Sequence, residues 1–227
     1  MTSGPDSESL RTIRISSLLP EVFKGMEKDG SIVGSQVWLH DITFARGEKV
    51  LVKAESGKGK SSLLSFIYGR RTDYTGTIYF DDIDIRSLSV GKWCALRSFS
   101  LAWMPQEMAL FDELTAKENV LLKNQLASFR SQSWIEHAFR SLGIFDRIDT
   151  PVRLLSVGQQ QRVAVIRALC QPADFILLDE PVSHLDYETN KKVSSLILDT
   201  IKETGAGLIA TSVGNNLSID FDKEIVL

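Results

Sequence analysis

The sequence predicts an α/β fold in which a mostly parallel sheet is flanked by helices. Two apolar segments support this prediction. The segment Lys49–Lys53 is short and rich in valine and leucine, and a loop of small residues and then a stretch with helical spacing follow it. The segment 175–178 has no polar alternation, which is typical of a strand buried on both faces of a parallel sheet. Because the chain has 227 residues, we expect one domain with a sizeable core.

The first part of the chain indicates a different kind of sheet. Thr43 and Phe44 precede a turn at 46–48, and the segment 76–80 precedes a turn at Asp81 and Asp82. Short strands separated by such turns predict an N-terminal antiparallel β subdomain packed against the core. Residues 1–9 are acidic and polar, and we expect them to form a flexible tail.

The segment from about 116 to 145 is predicted to be helical. Trp134, Ala138 and Leu142 are spaced four residues apart, which places them on one face of a helix. We interpret this face as core packing.

The loop after Lys49–Lys53 has the composition of a phosphate-binding loop. Gly57 and Gly59 allow the backbone to turn its N–H groups toward phosphate oxygens, and the following helix adds its N-terminal partial charge. Lys60 is placed to reach the β- and γ-phosphates, and Ser61 to supply a hydroxyl to Mg²⁺. The alternative is a surface turn rich in glycine and lysine. The predicted nucleotide-binding residues of this loop are Ala54, Glu55, Ser56, Gly57, Lys58, Gly59, Lys60, Ser61 and Ser62.

Asp179 and Glu180 end the second apolar segment. Two adjacent carboxylates are compatible with a metal ion and a triphosphate, because the metal offsets their mutual repulsion. A strand that ends in an ordinary acidic turn is the alternative, and the presence of Lys60 upstream disfavours it.

The string Leu-Ser-Val-Gly-Gln-Gln-Gln-Arg occupies residues 155–162. Ser156 is a suitable N-cap for a helix that begins near residue 157 and that we expect to continue to Pro172. A capped helix explains Ser156 but leaves the Gly158-Gln159 pair unexplained. A helix N-terminus with a serine hydroxyl and an exposed glycine N–H is suited to binding a γ-phosphate.

Together, the loop, the 155–162 string and the Asp179-Glu180 pair resemble the ATP-binding cassette (ABC) family from about residue 10 onward. The resemblance implies a P-loop NTPase core with the β subdomain over 10–106 and 158–227. It also implies an inserted helical subdomain over 107–157 that ends in the signature motif. In such proteins ATP and Mg²⁺ are bound between two subunits.

The resemblance assigns roles to single residues. Asp179 would hold Mg²⁺, Glu180 would polarise the attacking water, and Gln106 would contact both the metal and that water. The cofactor-binding residues Ser156, Gly158 and Gln159 would contact ATP held by a second subunit, which implies a homodimer or a paired related ATPase subunit.

Four positions need separate comment. Ala54 replaces the usual first glycine of the loop. Ser212 stands where the family has its switch histidine, and it is a candidate catalytic residue. Because serine cannot carry a positive charge toward the γ-phosphate, we expect slower hydrolysis with ATP binding retained.

Phe23 is a candidate for stacking on adenine, with a core or surface phenylalanine as the alternative. His184 lies in the segment that resembles the D-loop, and we do not interpret it as a base.

The function implied is that of an ATP-binding and ATP-hydrolysing subunit. It would power an integral membrane permease through ATP-driven dimerisation, as a cytoplasmic protein peripheral on the inner face of the membrane. The segment 110–120 and the 155–162 string are most similar to the branch that serves lipoprotein release, macrolide export and cell division. The net charge of −3 gives no support to a nucleic-acid partner.

Two alternatives remain. The first is an ATP-gated dimerising module with little hydrolysis, which the serine at position 212 favours. The second is a soluble non-transport ABC ATPase, although those proteins usually carry a coiled-coil insertion or a second cassette that this sequence does not show.

Overall fold

The computed structural model describes residues 9–55 and 57–227. The predicted loop residue Ser56 and most of the predicted tail therefore lie outside the described residues. Ser9 is described, and its hydroxyl donates a hydrogen bond to Asp174 Oδ1 at 2.7 Å.

The described part of the chain contains nine strands and seven α-helices. The strands are β1 (Thr12–Pro20), β2 (Ile42–Ala45), β3 (Lys49–Lys53), β4 (Tyr74–Phe80), β5 (Ile83–Asp84), β6 (Leu101–Met104), β7 (Phe175–Asp179), β8 (Gly207–Ser212) and β9 (Lys223–Val226). The helices are α1 (Gly30–Val33), α2 (Lys60–Ile67), α3 (Val90–Phe99), α4 (Ala116–Asn124), α5 (Gln132–Ser141), α6 (Val157–Ala168) and α7 (Tyr187–Thr204). Short 3-10 turns occur at Glu21–Phe23, Ile85–Ser87, Phe145–Arg147 and Val152–Leu154.

The central sheet is parallel, as predicted. Its five strands lie in the order β6-β7-β8-β3-β9, and every residue of β7 and β8 is buried. Alternate side chains of β3 enter two different cores: Leu51 packs under the helical region, whereas Val50 and Val52 pack toward the second sheet. The continuous apolar runs are therefore explained by burial on both faces.

The second sheet is antiparallel and has the strand order β2-β1-β4-β5, which confirms the predicted β subdomain. Strand β1 has a register irregularity between Ser16 and Leu19, where Ser17 has a φ of 47°. Gly76 faces this irregularity, and a Cβ added there would lie 2.3 Å from the carbonyl oxygen of Ser17. The close approach of the two backbones therefore requires glycine at position 76.

The region between β6 and β7 contains α4 and α5. Thr115 and Glu118 form a reciprocal capping box at the start of α4. The predicted helical face is confirmed, because Ala138 and Leu142 are fully buried and Trp134 packs partly against the same core.

The prediction that the helix after Ser156 continues to Pro172 is wrong. Helix α6 ends at Ala168, and the chain turns toward β7 before the proline. In this turn the buried Gln171 donates to the carbonyl oxygen of Leu101 at 2.9 Å, which ties the turn to β6. Among the described residues, no helix combines the length and apolar character that crossing a membrane requires.

Candidate active site

The predicted phosphate-binding loop joins β3 to α2 at the carboxyl edge of the parallel sheet. The register pairs Lys53 with Ser212 and Asp179 with Thr211, so the ends of β3, β7 and β8 meet at this edge. In open α/β sheets ligands bind at the carboxyl ends of the strands. The topology therefore brings together polar residues that are far apart in the sequence.

The two loop glycines have left-handed backbone conformations. The φ of Gly57 is 82°, and the φ of Gly59, which caps α2, is 98°. A Cβ at Gly59 would lie 2.8 Å from the Trp38 ring, whereas a Cβ at Gly57 would meet no atom within 4 Å. Glycine is thus required at position 59 for both backbone conformation and space.

Ala54, the departure at the first loop position, continues the direction of β3. Its N–H donates to the carbonyl oxygen of Ser212 at 3.3 Å, and it is not among the described residues with positive φ. Alanine is compatible with this backbone, because no left-handed conformation is required there.

Lys60 points back into the loop and is 4% exposed. Its Nζ donates to the carbonyl oxygens of Ala54 at 3.1 Å and Glu55 at 3.0 Å. The same atom lies 3.6 Å from Glu180 Oε1. The ammonium group is therefore held at the mouth of the loop, beside the predicted catalytic carboxylate.

The three predicted Mg²⁺ ligands all present oxygen atoms. Ser61 Oγ donates to Gln106 Oε1 at 3.3 Å, so the structure places these two side chains in contact. Asp179 is 2% exposed, and its Oδ1 accepts a hydrogen bond from Thr211 Oγ1 at 2.6 Å. An all-oxygen set fits Mg²⁺, which prefers hard oxygen ligands and retains several waters.

Glu180 follows Asp179 with a φ of 50°, which is uncommon for a residue with a side chain. Its backbone is fixed from two sides. The N–H donates to Thr211 Oγ1 at 3.1 Å, and the carbonyl oxygen accepts from Gln161 Nε2 at 2.9 Å. This conformation keeps the Glu180 side chain at the carboxyl edge of the sheet, within ion-pair distance of Lys60.

A cavity of ≈ 240 Å³ lies beside Glu180 and is lined also by Ser183, Ser212, Val213, Gly214 and Asn215. The buried Ser212 hydroxyl accepts a hydrogen bond from the Gly214 N–H at 3.0 Å. A hydroxyl that accepts a hydrogen bond in this way can still donate its own proton. The structure thus brings Ser212 to the same cavity as Glu180.

Phe23 lies at the end of a 3-10 turn, next to the loop. Its Cε2 is 3.4 Å from the position of a Cβ built on Gly59, and its ring centroid is 6.4 Å from that of Trp38. Phe23 is half-buried, which leaves part of its ring accessible beside the loop. Stacking on adenine stays a prediction.

Ser156, Gly158 and Gln159 lie at the N-terminus of α6. Ser156 and Gln159 form a capping box in which Ser156 Oγ accepts from the Gln159 N–H at 3.3 Å. A Cβ on Gly158 would lie 3.1 Å from the carbonyl oxygen of His184. The contacts of these three residues are with α6 itself and with the 183–185 segment.

Three residues at this site were not predicted from the sequence. Trp38 Nε1 donates to the carbonyl oxygen of Lys58 at 3.2 Å, which braces the loop from below. Thr211 joins Asp179 to Glu180, and Gln161 joins α6 to Glu180. Thr211 is next to the switch position Ser212, and Gln161 is part of the 155–162 string. The direction of their side chains, however, follows only from the strand and helix register. No pattern in the sequence marks Trp38.

Comparison with known proteins identifies the family. The family model described as ABC transporter matches residues 40–183, which include Lys60, Asp179 and Glu180. This chain belongs to the ABC transporter family. Phe23 and Ser212 lie outside the matched residues.

Individual relatives agree with this assignment. The lipoprotein-releasing system ATP-binding protein LolD of Legionella pneumophila (strain Paris) is 30% identical over 190 residues, which cover 82% of this chain and 84% of that protein. LolD of Gluconobacter oxydans (strain 621H) is 33% identical over 184 residues, which cover 80% of each chain. These relatives confirm the predicted similarity to the lipoprotein-release branch.

A solved structure confirms the predicted fold. The dimeric post-hydrolysis structure of the ATP-binding cassette MJ0796 bound to ADP and Pi matches with a TM-score of 0.71. It is 23% identical and covers 89% of this chain and 88% of that one. At this identity the likeness concerns the fold.

Proposed function

We propose that this chain is the ATP-hydrolysing subunit of an ABC transporter complex and powers a membrane permease through ATP-driven dimerisation. The observation that supports this most is the convergence of Lys60, Ser61, Gln106, Asp179 and Glu180 at one edge of the parallel sheet. A loop that binds phosphate is common to many proteins. Two carboxylates, a lysine and a hydroxyl–amide pair at that loop are suited to phosphoryl transfer to water.

The loop and the oxygen ligands have separate tasks. The N–H groups of the loop and the N-terminus of α2 bind the phosphates, and Lys60 binds the β- and γ-phosphate oxygens as a point charge. Ser61, Gln106 and Asp179 would hold Mg²⁺. When bound there, the metal neutralises charge on the phosphates.

In this proposal Glu180 acts on the attacking water. Its carboxylate orients the water and accepts a proton from it, while Gln106 supplies a second hydrogen-bond partner. Ser212 donates its hydroxyl proton toward the γ-phosphate from the cavity that it shares with Glu180. Serine supplies one neutral hydrogen bond where a histidinium would also supply charge.

Dimerisation is supported by the surface around the N-terminus of α6. Ser156 and Gly158 are partly or fully exposed there, and two apolar side chains next to them in the chain are also exposed: Leu154 at 63% and Val157 at 49%. Apolar side chains grouped beside polar ligand-binding residues are typical of an interaction surface. We propose that a second ATPase subunit covers this surface with ATP between the two.

We propose that the permease docks in a groove of ≈ 410 Å³ that is lined by residues on either side of Gln106 in the sequence, Pro105 and Ala109. Three aromatic side chains line part of it: Tyr68, Trp103 and Phe111. An apolar segment of the permease would fit against these rings, and the subunit would then lie on the inner face of the membrane.

The charge of the groove indicates the chemistry of the permease segment. Burial lowers the pKa of both Lys123 and Arg167, and no carboxylate of the described residues offsets it. Both side chains donate instead to backbone carbonyl oxygens, Lys123 to that of Arg97 and Arg167 to those of Met108 and Ala109. We therefore propose that the permease presents an acidic side chain to these two cations.

One alternative function keeps specific support. Ser212 removes the titratable group of the switch position, so an ATP-gated dimerising module with little hydrolysis is the second candidate. Glu180, whose Oε1 lies 3.6 Å from Lys60 Nζ, disfavours it, because a carboxylate that activates water would have no use in a module that only binds ATP.

Steady-state ATP turnover separates the two candidates. The hydrolysing subunit predicts that Glu180→Gln lowers turnover by at least 100-fold, in the range seen when an essential catalytic group is removed, while ATP still binds. Lys60→Ala should abolish ATP binding under either function. Equal, negligible turnover in wild type and Glu180→Gln, with ATP bound by both, would favour the module.

A further inference from the structure

We propose that Gln161 is a positioning residue for Glu180 and links the N-terminus of α6 to the hydrolytic carboxylate. The proposal deepens the proposed function and depends on it. It concerns the side chain on α6 that reaches the carboxyl edge of the sheet and hydrogen-bonds the backbone of Glu180.

Gln161 is 1% exposed, and the three hydrogen bonds that its side chain makes with described residues all go to the segment that follows β7. Its Nε2 donates to the carbonyl oxygen of Glu180 at 2.9 Å and to Ser183 Oγ at 3.1 Å. Its Oε1 accepts from the His184 N–H at 3.0 Å. An amide is the side-chain group that can donate twice and accept once in this arrangement, because a carboxylate only accepts.

The backbone held by Gln161 is strained. Glu180 has a φ of 50°, a backbone conformation that residues other than glycine rarely adopt and that persists only when the surrounding structure imposes it. Thr211 Oγ1 fixes the N–H of Glu180, and Gln161 fixes its carbonyl oxygen. Loss of either bond allows the peptide on that side to relax, and the carboxylate would move with it.

Helix α6 makes a second close contact with the same segment. A Cβ at Gly158 would lie 3.1 Å from the His184 carbonyl oxygen and 3.4 Å from Leu185 Cδ2. Gly158 and Gln161 are one helical turn apart, so they lie on the same face of α6. The helix is therefore packed on the 183–185 segment at two points and cannot shift without displacing it.

This packing connects two sites that use different ATP molecules. Ser156, at the N-terminus of α6, is proposed to contact ATP held by the second subunit. Gln161 lies roughly 7 Å further along the helix axis and contacts the residue that activates water in its own subunit. Contact of the α6 N-terminus with that ATP would thus act on the alignment of Glu180 through Gln161.

If the role of Gln161 were purely structural, its loss would lower stability without a selective loss of kcat. Buried amides are generally hydrogen-bonded, so the bonds alone do not prove positioning. The neighbouring Gln160 provides the matched control, because its Nε2 likewise donates two hydrogen bonds, here to the backbone carbonyl oxygens of Val152 at 3.2 Å and Leu155 at 3.1 Å. These partners are not in the cluster around Glu180.

The test compares Gln161→Met with Gln160→Met in the full-length chain. Methionine preserves the length of the side chain and removes the amide. The measurements are kcat and KM for MgATP, the Kd for ATP in EDTA, and the melting temperature. For Gln161→Met we expect kcat to fall by about 10- to 100-fold, as a displaced catalytic group implies, with the Kd for ATP unchanged. For Gln160→Met we expect a similar fall in melting temperature with wild-type kcat.

Gln161→Asn is the second variant, in case the methionine variant does not fold. Its amide retains both donors but is one methylene shorter, so we expect a kcat between those of wild type and Gln161→Met. Wild-type kcat in Gln161→Asn and in folded Gln161→Met would overturn the proposal. So would a parallel loss of kcat, ATP affinity and melting temperature in the variants at positions 160 and 161. Glu180→Gln is measured alongside: if it turns over ATP like wild type, the proposed function fails, whereas a wild-type Gln161→Met beside an inactive Glu180→Gln refutes only the positioning role.

Discussion

Substitution of Gly59 by alanine is expected to destabilise the phosphate-binding loop for two separate reasons. The first is the backbone, because a φ of 98° costs an L-residue roughly 1–2 kcal/mol. The second is space, because the new Cβ would lie 2.8 Å from Cζ2 of Trp38, a side chain that is 1% exposed. Overpacking in a core costs about 1–3 kcal/mol. Together these effects predict a loss of about 2–5 kcal/mol in the free energy of unfolding.

Gly57→Ala is the matched control. Its φ of 82° carries the same backbone cost, but a Cβ there meets no atom within 4 Å. The control should therefore lose only about 1–2 kcal/mol. The difference between the two variants isolates the contact with Trp38, and Gly59→Ala combined with Trp38→Phe should recover part of it.

The assay is urea unfolding followed by Trp fluorescence, with ATP binding measured on the folded variants. Gly59→Ala should also weaken ATP binding more than Gly57→Ala does, because Trp38 braces the loop through the carbonyl oxygen of Lys58. If the two variants are destabilised equally, the steric part of the reasoning is wrong.

Three further predictions concern the sheet edge and the cysteines. Ser212→His should raise kcat severalfold at saturating ATP by supplying a positive charge, and an unchanged kcat would show that the serine does not limit turnover. Thr211→Val should lower the free energy of unfolding by about 1–3 kcal/mol, because it leaves the buried Asp179 carboxylate and the Glu180 N–H without their hydroxyl partner. Thr211→Ser keeps a hydroxyl and should lose much less stability. Equal losses in the two variants would contradict this role. Burial raises the pKa of Cys170 to about 12, whereas Cys94 is exposed. A neutral thiol reagent should therefore label only Cys94 in the folded protein and both cysteines in urea. Since the folded pKa of Cys170 lies above its unfolded value, its contribution to stability should be full at neutral pH and decline as the pH rises above about 9.

The sequence was sufficient to predict the sheet type and the residues that carry charge at its edge. The runs at β3 and β7 have no polar alternation, and this pattern arises because Val50 and Leu51 enter different cores. Lys60 and Asp179 stand in motifs whose spacing has a chemical reason. Their convergence then follows from the topology of a parallel sheet.

The remaining features depend on contacts between distant segments. Nothing local shows that Trp38 approaches Gly59, or that the side chain of Gln161 turns toward Glu180. The end of α6 at Ala168 is a further example, because the chain turns there toward β7 before it reaches Pro172. Tertiary packing overrides local signals in each case.

The central claim is that ATP closes two of these subunits and that Glu180 then hydrolyses it. The most direct test is sedimentation velocity of Glu180→Gln with and without ATP, with the Lys60→Ala, Glu180→Gln double variant as control. We predict that Glu180→Gln forms a stable dimer only with ATP and that the double variant stays monomeric. A Glu180→Gln protein that binds ATP and remains a monomer at concentrations well above its Kd for ATP would contradict the account.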